Sequence, residues 1–250
     1  MIRLQRLPQP DNFSQRAQDW ERRFSAERAR NPKLTISKFW AAVRQEIRPD
    51  AEILFRNFHG KCAFCESKMA HVSSPHIEHF WPKSKFPHKT FAWRNWLLSC
   101  GRCNEAKWSH MPFCGPIPCL IHPIIEDPQK HIGFVGPIVV EKTERGKQTI
   151  ELVGLKRLDL EEERARWLDQ ICQLLLLATI PTFHREARTL LIWAMQPEAP
   201  YSAMTQAYLL EVAPRLANPP QPHPYIDLAN GIQQIRQLVE QNSNAIHDLA

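Results

Sequence analysis

The sequence CAFC, residues 62–65, has a counterpart in CGRC, residues 100–103, and this pair of motifs determines how we expect the centre of the chain to fold. Two cysteines at this spacing can bind one ion, and two such pairs supply the four thiolates of a closed tetrahedral zinc site. A thioredoxin-like redox pair would explain one CxxC motif but not two, and the other alternative is free thiols packed in a core. The sequence therefore predicts a structural zinc ion bound by Cys62, Cys65, Cys100 and Cys103.

The segment between the two cysteine pairs contains HIEHFWPKSKF, residues 76–86. On a strand, His76 and Glu78 would share one face and His79 would lie on the other. Hydrolysis of a phosphodiester needs a base that activates water and a cation that offsets negative charge. Glu78 can provide an oxygen ligand for Mg²⁺, with Asn104 as a second, and His79 can act as a base near neutral pH. These residue types therefore suit metal-dependent hydrolysis of a nucleic acid.

The order of these residues resembles the motif of the HNH, or ββα-metal, nucleases. In that family a β-hairpin carries the general base, an asparagine braces the hairpin, and the following helix contributes a metal ligand. The resemblance implies that His79 is the base, that Asn95 is the brace, and that Glu78 and Asn104 bind a catalytic Mg²⁺ or Mn²⁺. His76 is either a further ligand or a partner of a ligand. Most relatives have aspartate where this chain has Glu78.

A longer part of the chain, roughly residues 50–170, resembles the PtuB family, the HNH subunit of the Septu anti-phage system. The resemblance rests on the stretches GKCAFCESKM, HIEHFWPKSKF, NWLLSCGRCNEAK, LIHPIIEDPQKHI and ERGKQTIELVGLKR. It implies an endonuclease that works with an ABC-type ATPase, PtuA, on nucleic acid, with DNA favoured over RNA, and it admits a homodimer within the complex. The alternatives are a catalytically silent zinc module that binds nucleic acid or a partner, and a solitary restriction-type HNH nuclease.

The net charge of +6 suits a polyanionic partner, and basic residues are concentrated beside the motif. We predict that four of them bind phosphates: Lys83, Lys85, Arg102 and Lys107. The alternative is an ordinary solvated charged face.

The resemblance and the helical periodicity of the flanks together predict an α+β fold, predominantly helical, with a zinc-clamped ββα-metal (HNH) core. The expected regions are an N-terminal helical region at 1–58, the nuclease core at 59–155 and a C-terminal helical region at 156–250. Helices are predicted at 13–31, 35–57, 159–179, 182–195, 202–216 and 228–249. Ser37 is expected to cap the second helix and Pro49 to interrupt it. GFVGPIVVEK and GKQTIELVG, residues 133–142 and 146–154, are expected to form a strand pair.

The remaining features concern the location of the protein and its other cysteines. The N-terminus lacks the apolar segment of a signal peptide, and the most apolar run, 171–180, is too short to cross a bilayer. We therefore expect a cytoplasmic protein without a membrane contact, whose cysteines are thiols or metal ligands rather than disulfides. Cys114 and Cys119 are predicted to be packed thiols, with a second metal site as the alternative, and Cys172 is predicted to be a core thiol. The leucine-rich segments 174–177 and 190–192 are either ordinary core or a docking surface for the ATPase or a second copy.

Overall fold

A computed structural model describes residues 1–5, 8–69 and 76–217, with side chains described as far as residue 212. The predicted helix at 228–249 lies outside the described residues. The helices are α1 Phe13–Arg30, α2 Ile36–Ala42, α3 Arg44–Asn57, α4 Gly101–Lys107, α5 Glu144–Leu152, α6 Leu158–Leu177, α7 His184–Ala194 and α8 Ser202–Ala217. The strands are β1 His76–His79, β2 Trp96–Ser99, β3 Phe113–Cys114, β4 Ile117–Pro118, β5 Ile132–Val135 and β6 Ile138–Glu141, paired as β1–β2, β3–β4 and β5–β6. The prediction of a mixed fold in which helix predominates is confirmed.

The chain divides into two compact units, one formed by residues 1–132 with 141–156, the other by 133–140 with the chain from residue 157 onward. The three regions expected from the sequence, 1–58, 59–155 and 156–250, stay a prediction. Within the described residues, no helix combines the length and the apolar character needed to cross a membrane.

The core of the first unit is a cluster of aromatic rings around β2. Phe13 of α1 and Trp40 of α2 lie 5.1 Å and 5.3 Å from the ring of Trp96, centroid to centroid, both in edge-to-face geometry. Trp20 is 1% exposed and Trp96 is 0% exposed. Such contacts add to the free energy of burying large rings, so α1 and α2 hold the β1–β2 pair from one side.

The second predicted helix is divided differently from the prediction. Thr35, not Ser37, caps α2, because its hydroxyl accepts a hydrogen bond from the Lys38 N–H at 3.3 Å. The break falls at Val43, between α2 and α3, whereas Pro49 lies inside α3 without ending it. A proline costs the helix one backbone hydrogen bond, and α3 tolerates that loss.

The predicted strand pair is wrong in its second half. β5 and β6 both lie within residues 132–141 and turn at Gly136, whose φ of +56° suits glycine. GKQTIELVG instead belongs mostly to helix α5. Thr143 begins that helix by accepting the Gly146 N–H at 3.1 Å, and Thr149 and Ile150 are buried on its inner side.

The prediction of packed thiols at Cys114 and Cys119 is also wrong, because these residues form a disulfide. They flank the short β3–β4 hairpin, which turns at Gly115 with a φ of +71°. The turn brings their α-carbons to 5.0 Å, within the range that a disulfide bridges. The prediction had relied on cysteine usage in the cytoplasm, which carries no information about a local hairpin.

The second unit is built on α6, α7 and α8. Its buried core consists of Ile171, Leu175, Ala178, Ala187, Leu191, Ala194, Met195 and Leu209. Trp167 donates its indole N–H to the Thr205 hydroxyl at 2.9 Å, which ties α6 to α8. Cys172 is half-buried, with its sulfur 3.2 Å from the hydroxyl of Tyr208.

Candidate metal and catalytic sites

The four cysteines of the CxxC motifs come together in the buried interior of the first unit, with all sulfurs within 4.8 Å of one another. The Cys65 and Cys100 sulfurs are 3.8 Å apart. A tetrahedral zinc ion with Zn–S bonds of about 2.3 Å places its sulfurs about 3.8 Å apart, so the cluster fits the ion. The structure therefore brings together a cysteine set suited to hold zinc.

The backbone around the cluster links it to the β1–β2 pair. The Cys62 N–H donates to the Ser67 carbonyl at 3.0 Å, which closes the first CxxC turn, and the Ala63 N–H donates to the Leu98 carbonyl of β2 at 2.8 Å. Burial raises the pKa of the Cys62 thiol, whereas the neighbouring Cys103 thiol lowers the pKa of Cys100. Because zinc binds thiolates, loading this site releases protons.

The predicted hairpin segment is present as the antiparallel pair β1–β2, with Glu78 opposite Leu97 and His79 opposite Trp96. Helix α4 follows β2 directly. Because side chains alternate along a strand, Glu78 and His79 point to opposite faces. Glu78 contacts Lys107 of α4, and His79 contacts Trp40 of α2.

Glu78 forms a buried ion pair. Its Oε1 accepts a hydrogen bond from the Lys107 ammonium at 2.5 Å, and the side chain is only 6% exposed. Burial raises the pKa of the Glu78 carboxyl, although Lys107 and Lys83 oppose that shift. The ammonium of Lys107 also donates to the backbone carbonyl of His79 at 2.8 Å. Lys107 was expected on a phosphate-binding surface, but it is fully buried and faces the carboxylate.

His79 is 3% exposed and is held by two neighbours. Its Nε2 lies 3.0 Å from the Thr90 carbonyl, and its ring meets that of Trp40 at 4.5 Å, edge to face. A carbonyl only accepts hydrogen bonds, so Nε2 carries the proton and Nδ1 has the lone pair. Burial is the main reason that the pKa of His79 is lowered to about 3, which keeps the imidazole neutral at ordinary pH.

Asn95 closes the loop that follows β1. Its Oδ1 accepts from the Trp81 N–H at 2.7 Å, and its Nδ2 donates to the carbonyls of Trp81 at 3.0 Å and Lys89 at 2.9 Å. The backbone carbonyl of Asn95 accepts the Phe80 N–H at 2.9 Å. One side chain therefore fixes the segment directly after Glu78 and His79.

His76 and Asn104 lie on the α4 side of the hairpin. A β-carbon added at Gly101, the first residue of α4, would be 3.9 Å from His76 Nε2. Asn104 is half-buried and precedes Lys107 by three residues, so both occupy one face of α4. A carboxylate, an amide oxygen and an imidazole are ligand types that suit Mg²⁺ or Mn²⁺, and in this conformation the Lys107 ammonium is bonded to the carboxylate.

The remaining predicted phosphate ligands differ in exposure. Lys85 and Arg102 are exposed to solvent, as phosphate binding requires. Lys83 is half-buried, and burial lowers its pKa while the nearby Glu78 carboxylate raises it. Lys83 therefore lies close enough to Glu78 for their charges to interact.

Two residues that hold His79 could not be identified from the sequence. Thr90 acts through a backbone carbonyl, which no residue pattern reveals. Trp40 lies within the helix predicted at 35–57, and its contact with His79 depends on tertiary packing.

No protein-family model matches the chain. Among curated proteins, Septu protein PtuB of Bacillus thuringiensis is 36% identical over 100 residues, which covers 40% of this chain and 38% of that protein. Septu protein PtuB of Bacillus mycoides strain KBAB4 is 27% identical over 199 residues, 66% of each chain. The chain thus spans less than two thirds of the length of either relative. These matches confirm the resemblance to PtuB that the motifs indicated.

Proposed function

We propose that this chain is a metal-dependent HNH-type endonuclease that hydrolyses phosphodiester bonds in nucleic acid. Its likeness to two Septu proteins supports a role in anti-phage defence. Within that role we assign it the nuclease function of a complex with an ABC-type ATPase resembling PtuA. DNA is the favoured substrate.

The observation that carries the proposal is the bracing of the β1 end by Asn95. This side chain bonds both backbone polar groups of Trp81 and the carbonyl of Lys89. The order of strand, braced loop, strand and helix supports the role of brace that the resemblance implies for Asn95. A side chain that satisfies three backbone groups fixes the strand end that carries Glu78 and His79.

In the proposed reaction His79 is the general base. The Thr90 carbonyl holds the proton on Nε2, so Nδ1 is the atom that accepts a proton from the attacking water. A neutral imidazole is ready for this step without first losing a proton. The low pKa of about 3 in the buried state means that the ring is a weak base until water and substrate reach it.

The catalytic cation would be held by Glu78 and Asn104, with His76 as a third ligand. When bound, Mg²⁺ or Mn²⁺ stabilises the negative charge that develops on the leaving oxygen. Lys83, Lys85 and Arg102 bind the flanking phosphates and position the strand to be cut. In this conformation Lys107 is bonded to Glu78 rather than exposed for phosphate binding.

A second candidate is a zinc module that binds nucleic acid or a partner without cutting. The 3% exposure of His79 and the neutralisation of Glu78 by Lys107 favour it, because both groups are occupied in this conformation. The two candidates differ in whether loss of the His79 imidazole removes an activity.

The test is cleavage of plasmid DNA, single-stranded DNA and RNA with Mg²⁺, with and without the cognate ATPase. His79→Ala should abolish cleavage, and His88→Ala, at an exposed histidine in the same loop, should not. Binding without cleavage by the wild-type protein under every condition would favour the silent module. Cleavage without the ATPase would favour a solitary nuclease.

A further inference from the structure

Lys107 is fully buried in the first unit, and its ammonium lies directly against a carboxylate. Its Nζ donates to Glu78 Oε1 at 2.5 Å and to the His79 carbonyl at 2.8 Å. Both acceptors belong to β1, at the two residues to which we assign the chemistry. The ammonium is therefore bonded to the same carboxylate that would bind the catalytic cation.

The charges around Glu78 oppose a second cation. Lys83 interacts with both Glu78 and Lys107, so the carboxylate already faces two positive groups. In a site this buried, like charges repel strongly because little water screens them. A divalent ion added beside an unmoved Lys107 would bring three positive groups around one carboxylate.

We propose that Lys107 is an internal competitor of the divalent cation, and that metal binds to Glu78 only as the Lys107 ammonium leaves it. This inference rests on the assignment of Glu78 as a metal ligand in the proposed function. The form with Lys107 on Glu78 is a resting state that keeps the carboxylate ordered and neutralised. Metal binding converts it into a state in which the ammonium is released towards solvent or substrate phosphate.

The backbone at the end of α4, next to Lys107, is where we expect the chain to rearrange when the ammonium leaves Glu78. Trp108 ends α4 in a left-handed conformation with a φ of +46° and a ψ of −128°, which is strained for a residue with a β-carbon. Trp108 is 71% exposed, so a rearrangement there disrupts little packing. The zinc ligand Cys103 lies one turn earlier, which allows the end of α4 to move while the cluster stays in place.

The first test measures the exposure of Lys107 in the wild-type, zinc-loaded protein. Lysines are acetylated briefly with and without Mg²⁺, and each site is quantified by mass spectrometry. Lys107 should react on the order of ten-fold faster with Mg²⁺, a ratio typical of coupled binding equilibria. Lys61 is a matched control, since it is 1% exposed and lies 3.6 Å from Glu66. Equal protection of Lys107 with and without Mg²⁺ would overturn the proposal, and equal gains at both lysines would show general loosening instead.

The second test uses Lys107→Met, which keeps an unbranched side chain one atom shorter and removes its charge. Mn²⁺ binding, followed by electron paramagnetic resonance and calorimetry, should be on the order of ten-fold tighter than in the wild type. The double variant Glu78→Gln with Lys107→Met should lose this gain. Unchanged Mn²⁺ affinity in a folded Lys107→Met protein would contradict the competition, and if that variant does not fold, the acetylation result decides.

These readouts are separate from cleavage. A protein that exposes Lys107 with Mg²⁺ but never cuts nucleic acid would retain the inference and lose the proposed nuclease function. A protein that cuts with Lys107 protected throughout would retain the function and lose the inference.

Discussion

The side-chain amide of Asn95 is hydrogen-bonded to both backbone polar groups of Trp81, at 2.7 Å from its N–H and 3.0 Å from its C=O. This arrangement mimics the pairing of a neighbouring strand and extends the order of β1 into the following loop. Asn95 is 3% exposed, so its amide is held among these backbone groups and not in solvent.

Replacing Asn95 with alanine should lower the free energy of unfolding by about 2–4 kcal/mol, since three hydrogen bonds are lost and the N–H and C=O of Trp81 lose their side-chain partner. Asn95→Asp should also destabilise, because it keeps the acceptor for the Trp81 N–H but places charge beside two carbonyls. Urea unfolding measures both. The control is Asn31→Ala, at an exposed asparagine that accepts one backbone N–H, which should cost much less. Wild-type stability in Asn95→Ala would show that the Asn95 side chain does not brace the loop.

The buried His79 should make stability depend on pH in a defined direction. Its pKa is about 3 in the folded protein and 6.5 in the ordinary unfolded state, so the unfolded chain binds more protons between these values. The contribution of neutral His79 to the free energy of unfolding is fully present above pH 6.5 and is lost as the pH falls towards 3. The free energy of unfolding should change by up to about 1.4 kcal/mol per pH unit in this range. His79→Gln can still donate to the Thr90 carbonyl but does not titrate. Its free energy of unfolding should therefore depend less steeply on pH in this range. The free energy of unfolding of both proteins is measured by urea titration at several pH values. The same dependence on pH in both proteins would contradict a buried, neutral His79.

The residues that the sequence did predict are those whose partners are fixed by short spacing or by a strong motif. In each CxxC motif the local geometry of the turn brings the two sulfurs close together. The four-cysteine cluster forms when the two turns face each other. Asn95 was predicted as a brace from the resemblance, and its three hydrogen bonds fit that role, although the role itself is still to be tested.

The pair formed by Glu78 and Lys107 could not be anticipated in the same way. The two residues are 29 positions apart, and their contact depends on how α4 packs against β1. A lysine in a basic segment is most simply interpreted as a surface charge, and only tertiary burial reverses that interpretation. The same limit explains α5, where GKQTIELVG was expected to form a strand while the Thr143 cap and the burial of Ile150 favour a helix.

Loss of one zinc ligand should unfold the first unit. Structural zinc sites contribute about 10–16 kcal/mol in small domains, more than a typical domain retains as net stability. Cys62→Ser should therefore lose zinc, measured by elemental analysis as a fall from one ion per chain, and lose near-ultraviolet circular dichroism. Cys172→Ser, at a half-buried cysteine of α6, is the matched control and should keep both. Full zinc content in Cys62→Ser would mean that the ion binds elsewhere.

Binding of nucleic acid should weaken as salt rises, and the slope should report which lysines and arginines touch phosphate. Each phosphate contact contributes about 0.9 to the slope of log K against log salt on duplex DNA. Lys85→Ala and Arg102→Ala remove exposed charges on either side of β2, so each should reduce the slope by about this amount with little effect on stability. Lys33→Ala, at an exposed lysine outside this basic segment, should leave the slope unchanged.

Because Lys107 is buried on Glu78, Lys107→Met should leave the slope unchanged without divalent metal and reduce it only when metal has released the ammonium. A reduction by Lys107→Met in both conditions would place this lysine on phosphate from the start.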